Sequence, residues 1–152
     1  MQHIKKIANS TNLDFYSANT SSQVELPFID GGIVAGFPSP AQDYIDLKID
    51  LNTELISNPS STFYARVKGT SMQDAGIMDG DILVIDKSLE PKDGDTAVCF
   101  IDGEFTLKYI KFDTDAVYLV PANSKFEPIK VTEENNFCIW GIVTYSIKNH
   151  KR

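Results

Sequence analysis

The chain is poor in the residues that most often carry chemistry. Only two of its 152 residues are cysteine, Cys99 and Cys138, and only two are histidine, His3 and His150. No Cys/His spacing resembles a zinc site. The histidines stand near opposite ends, where neither is well placed to serve as a base. The cysteines could form one disulfide at most, but each sits in an apolar run, AVCFI and FCIW, and the pattern reads as two buried, reduced thiols. No metal and no cofactor is implied. Long hydrophobic runs are missing as well: nothing approaches a membrane span. The opening stretch, MQHIKKIANSTNLDFYS, has no signal-peptide core. The expected address is the cytoplasm. Basic residues are scarce, with 14 Lys and Arg against 21 Asp and Glu and a net charge of −7. A phosphate backbone repels such a chain, and Lys148, Lys151 and Arg152 are too few to reverse that. Direct sequence-specific DNA binding is not expected.

What is present suits one globular domain, with 42% hydrophobic and 11% aromatic residues. Residues 1 to about 28 are weakly patterned and include the polar run NSTNLDFYSANTSSQ, which reads as an arm. LPFIDGGIVAGFPSPAQDY follows, with paired glycines and two prolines, and reads as an extended linker. Ser39-Pro40-Ala41-Gln42 predicts a capped helix over roughly 40–47. Asn52-Thr53-Glu54 predicts a second short turn. From residue 62 the period changes to two. TFYARVKG, DILVID, TAVCFI, EFTLKYIKF, AVYLVP, PIKV and FCIWGIVTYSI read as strands, and Asp102-Gly103 as a two-residue hairpin turn. The predicted class is mainly β, a sandwich or barrel with short helices and an extended N-terminal arm.

Two residues invite a chemical reading. Ser71 lies in GTSMQDAGIMDGDILVID, after a glycine and before a segment that could open a short helix. It reads either as a turn or cap serine or as a nucleophile with free backbone N–H groups beside it. A serine nucleophile needs a base, and without a usable histidine the base must be a lysine that loses its proton through burial. Lys108 shares a strand face with Thr106, Ile110 and Phe112, while Phe105, Leu107 and Tyr109 line the other face. Two apolar faces suggest a central strand, where an ammonium is costly. Lys108 reads either as a lysine that reaches solvent at a strand end or as a general base with a depressed pKa.

Taken together, these stretches resemble a known family. GTSMQDAGIMDGDILVID is similar to the serine box, and GEFTLKYI to the lysine box, of the LexA/UmuD-type self-cleaving Ser-Lys peptidases. The 37-residue spacing from Ser71 to Lys108 is that family's. AGFPSPAQDYIDLKIDLN, PANSKFEPI and FCIWGIVTYSIK resemble the UmuD-type branch, and the likeness spans roughly residues 33–147. It implies that Ser71 is the nucleophile, Lys108 the general base and acid, and the chain's own Ala35–Gly36 bond the substrate. The backbone N–H groups of Ser71 and Met72 would hold the oxyanion. Residues 1–35 would be an arm removed by cleavage, and 36–152 a β-rich peptidase and dimerisation domain. The implied partners are a second copy of the chain, a RecA filament on single-stranded DNA as stimulator, and a UmuC-type Y-family polymerase, in the SOS response to DNA damage.

Other readings compete with this one. The chain could be a non-catalytic dimeric interaction module in which the serine and lysine are idle. It could be a LexA-like or phage-type repressor fragment. The 35 residues before the bond carry a net charge near −1 and no recognition-helix pattern, which opposes direct repression. A signal-peptidase-like enzyme would need a membrane anchor.

Overall fold

The computed structural model describes residues 6–9, 12–27 and 48–151. The predicted helix over 40–47 lies outside them. The chain divides into two compact units, Asn19–Ser57 and Met1–Ala18 with Asn58–Arg152.

In the smaller unit, the short strands β3 (Glu25–Pro27) and β4 (Lys48–Asp50) pair antiparallel, and helix α1 (Leu51–Leu55) follows directly. Asp50 caps that helix, accepting from the Thr53 N–H at 3.2 Å and the Thr53 hydroxyl at 2.8 Å. It also accepts the Val24 N–H at 3.1 Å, and that bond is the main reason its carboxyl lies below the usual range. The turn predicted at Asn52-Thr53-Glu54 is this helix.

Among the described residues, the larger unit is built on nine antiparallel strands. They are β1 (Lys6–Asn9), β2 (Leu13–Ser17), β5 (Thr62–Val67), β6 (Ile82–Asp86), β7 (Thr96–Ile101), β8 (Glu104–Phe112), β9 (Val117–Val120), β10 (Ile129–Val131) and β11 (Phe137–Ile147). Their order across the sheet is β1-β2-β5-β6-β11-β7-β8-β9-β10. The mainly β class is as expected. β7 and β8 are joined by Asp102 and Gly103 with φ of 49° and 89°, the left-handed pair that a type I′ hairpin turn requires. The register of β11 shifts twice, between Ile139 and Gly141 against β7 and between Val143 and Tyr145 against β6. Such bulges bend a strand and strengthen its twist.

Apolar side chains collect on both faces of the central strands. One cluster joins Leu13, Phe15, Ala65, Val67, Met72, Leu83, Ile85, Val98 and Leu107. The other joins Ala97, Cys99, Ile110, Leu119 and Ile142. β8 lies between β7 and β9, and its alternation sends Leu107 into the first cluster and Ile110 into the second. The two-sided burial predicted for this strand is observed.

Two expectations need correction. The segment read as a weakly patterned arm supplies β1 and β2 to the main sheet and β3 to the smaller unit. Leu13 and Phe15 are fully buried, because polar neighbours do not prevent two alternating apolar residues from filling one face of a strand. Only Cys99 is a buried thiol; Cys138 is exposed. The two pair with different partners, Cys99 with Ile139 and Cys138 with Phe100, so the pleat turns them to opposite faces.

Candidate active site

Ser71 follows β5 across a short turn. Gly69 has φ +97°, a conformation that L side chains rarely adopt. A side chain there would meet nothing within 4 Å, so the glycine serves the backbone turn and not a close approach. Its N–H donates to Asp79 Oδ1 at 2.9 Å. The other side of the serine is anchored by Met72, 1% exposed in the main core, whose sulfur accepts the Ala122 N–H at 3.3 Å. The buried Asn123 donates its side-chain amide to the Thr70 carbonyl at 2.8 Å, and the Asp74 N–H donates to the Ala122 carbonyl at 2.7 Å. The loop after β9 thus clamps the serine turn from both sides.

The segment after Ser71 forms one 3-10 turn, Gln73–Ala75, not a longer helix. Gly76 ends it in the left-handed region, φ 78°. The Gln73 N–H bonds the Thr70 carbonyl at 3.1 Å. Among the described residues, no acceptor is assigned to the Ser71 or Met72 N–H, the two groups singled out as oxyanion donors.

Lys108 sits mid-strand on β8 with 7% of its surface exposed. It does not reach solvent at a strand end. Its Nζ donates to Thr106 Oγ1 at 2.6 Å and to the Leu107 carbonyl at 3.2 Å. Ser71 Oγ donates to the same Leu107 oxygen at 3.4 Å. The two side chains therefore converge on one backbone atom from 36 and 1 residues away. A contact of 3.4 Å is long for a hydroxyl donor, so the serine proton is weakly held there.

Burial drives the electrostatics. It holds the Lys108 amine below the ordinary lysine value, against a smaller opposing influence from Cys99. Cys99 pairs with Thr106 across the β7–β8 ladder, as Ala97 does with Lys108. Burial also pushes the Cys99 thiol up to about 12. Near neutral pH the thiol is therefore uncharged and cannot support the ammonium. Among the described residues, no carboxylate forms an ion pair with Lys108. A neutral amine has two hydrogens and one lone pair. With Thr106 and Leu107 accepting the hydrogens, the lone pair is left to take a proton from a nearby hydroxyl.

Ser71 and Lys108 are thus brought together, while Ala35 and Gly36 lie outside the described residues. Thr106, Asn123 and the Leu107 carbonyl are contributions that the residue pattern did not reveal. Thr106 was legible as a neighbour of Lys108 on one strand face, two residues away, but not as its hydrogen-bond acceptor.

Residues 27–144 match the family described as Peptidase S24-like. The chain is 41% identical to "Protein ImpA" of Salmonella typhimurium, over 74% of this chain and 77% of that protein. It is 38% identical to "Protein MucA" of Escherichia coli, over 91% of this chain and 95% of that one. To "Protein SamA" of Salmonella typhimurium it is 41% identical, over 80% and 84%.

Proposed function

The chain belongs to the Peptidase S24-like family, a class of serine peptidases, and from that premise we propose that it cuts its own Ala35–Gly36 bond with a Ser71–Lys108 dyad. The observation that carries this reading is the shared contact: Ser71 Oγ at 3.4 Å and Lys108 Nζ at 3.2 Å from one carbonyl oxygen, with the lysine buried and, among the described residues, in no ion pair with a carboxylate.

The chemistry follows from the charges. Neutral Lys108 takes the Ser71 proton as the oxygen attacks the Ala35 carbonyl carbon. The Ser71 and Met72 N–H groups receive the oxyanion. Lys108, now an ammonium, gives its proton to the Gly36 nitrogen as the peptide bond breaks. Water, deprotonated by the same amine, then releases residues 1–35 from the acyl-enzyme. This is the lysine variant of the serine–histidine scheme.

The biological setting comes from the likeness to the UmuD-type branch. The protein is a self-cleaving accessory protein of SOS mutagenesis. It acts as a cytoplasmic homodimer, is stimulated by a RecA filament on single-stranded DNA, and its product, residues 36–152, serves a Y-family polymerase. Among the described residues no helix is long and apolar enough to cross a membrane. The test is incubation with an activated RecA filament, read by intact mass. Wild type should yield one new species beginning at Gly36, and Ser71→Ala and Lys108→Ala should stay whole. An uncut wild-type chain would favour the interaction module instead.

A further inference from the structure

β2 is held more firmly than a removable arm requires. It runs along β5 in five consecutive pairs, from Leu13 opposite Val67 to Ser17 opposite Phe63. Leu13 and Phe15 are 0% and 1% exposed. The Phe15 ring lies 4.7 Å from that of Phe105 and 4.8 Å from that of Trp140, at tilted and edge-on angles that favour aromatic pairs. Asp14 forms an ion pair with Lys68 at 2.8 Å. Asn12 donates to the Phe105 carbonyl at 3.0 Å and accepts the Lys68 N–H at 2.7 Å.

These contacts fall on the two elements that carry the site. Lys68 precedes the turn to Ser71, and Phe105 lies three residues before Lys108 on β8. Without β2, the N–H and C=O groups of β5 on that side would lose their ladder, and the hollow between Phe105 and Trp140 would be open to water.

We propose that the β5 edge and this hollow form a strand-binding groove whose ligand is Leu13–Ser17 of the chain itself, and that the piece freed by cleavage stays bound there as a non-covalent subunit. The proposal rests on the Ala35–Gly36 cleavage assigned above. The groove selects an extended peptide with a branched apolar residue, then an acid facing Lys68, then an aromatic ring. Cleavage then yields a two-chain body, and exposure of the β5 edge needs a separate displacement step.

The test does not depend on self-cleavage. In a Ser71→Ala chain, the recognition sequence of a site-specific protease replaces the residues around Ala35–Gly36, and the added protease makes the cut. Gel filtration and native mass spectrometry of the cut protein at low micromolar concentration should show both pieces together, with the whole-chain mass plus one water. Phe15→Ala in the same background should weaken their association about 100-fold. Elution of the small piece alone, beside a body that keeps its circular dichroism, would overturn the proposal. On the uncut chain, the amides of residues 13–17 should exchange with solvent as slowly as those of β5. Exchange at the rate of an exposed loop would overturn it equally.

Discussion

Lys108 Nζ donates to Thr106 Oγ1 at 2.6 Å, between two residues that stand on the same face of one strand. This contact and the Leu107 carbonyl fix the direction of a buried amine. A hydroxyl that accepts from an amine favours the charged form, while burial holds the Lys108 amine below the ordinary lysine value. Orientation and basicity are thus set by different groups.

Thr106→Val keeps the shape and removes the acceptor. The self-cleavage rate should fall on the order of 10–100-fold through lost orientation. The midpoint of its pH profile should move down, because the ammonium loses a partner. Thr106→Ser should restore both. A rate equal to wild type in the valine variant would remove Thr106 from the account.

Lys108→Met separates catalysis from stability. Cleavage should fall by about 10³-fold or more, while the fold is retained or made more stable, since a buried amine is replaced by an apolar chain of similar length. The sign in pH is fixed by the direction of the shift. The folded pKa is depressed, so the unfolded chain holds more protons between that value and the ordinary 10.5, and stability rises with pH across that window. Urea titrations at several pH values should show the gap between Lys108→Met and wild type narrowing as pH rises. A widening gap would mean that the lysine is stabilised as an ammonium.

The cysteines should behave as one reactive and one silent thiol. Cys138 is exposed, whereas burial pushes Cys99 up to about 12, where the thiolate is scarce at working pH. A thiol reagent at pH 8 should label one site per native chain and two after denaturation. Peptide mapping should place the first label on Cys138.

Gly141 lies at a bulge of β11, where an added Cβ would come within 2.5 Å of Ile85 Cγ2. Gly141→Ala should cost about 1–3 kcal/mol, seen as a lower urea midpoint. An unchanged midpoint would mean that β6 and β11 separate freely at this point.

The strands from β5 to β11 were legible because their side chains alternate and turn residues bound them. β8 coincides with the quoted EFTLKYIKF. β2 was not legible, since its signal is Leu13 and Phe15 alone in a polar stretch, and its other anchors, Lys68 and the Phe105 carbonyl, are distant in sequence. Ser71 and Lys108 were legible as a candidate nucleophile and base, and the family likeness decided between that reading and the turn serine and solvent-reaching lysine. The atom on which they converge is a backbone carbonyl, Leu107 O, which no residue pattern can single out. Cys138 was misread because an apolar run such as FCIW states hydrophobicity but not which face of a strand is covered.

The central claim is that a neutral Lys108 activates Ser71 against the chain's own backbone. The measurement that tests it most directly is the self-cleavage rate, followed by intact mass over a series of pH values in wild type, Ser71→Ala and Lys108→Ala. The account predicts a single cut before Gly36 and a wild-type rate that climbs with pH and levels off below the ordinary lysine pKa. Both variants should remain intact throughout. A rate indifferent to pH, or a cut that persists in Ser71→Ala, would contradict it.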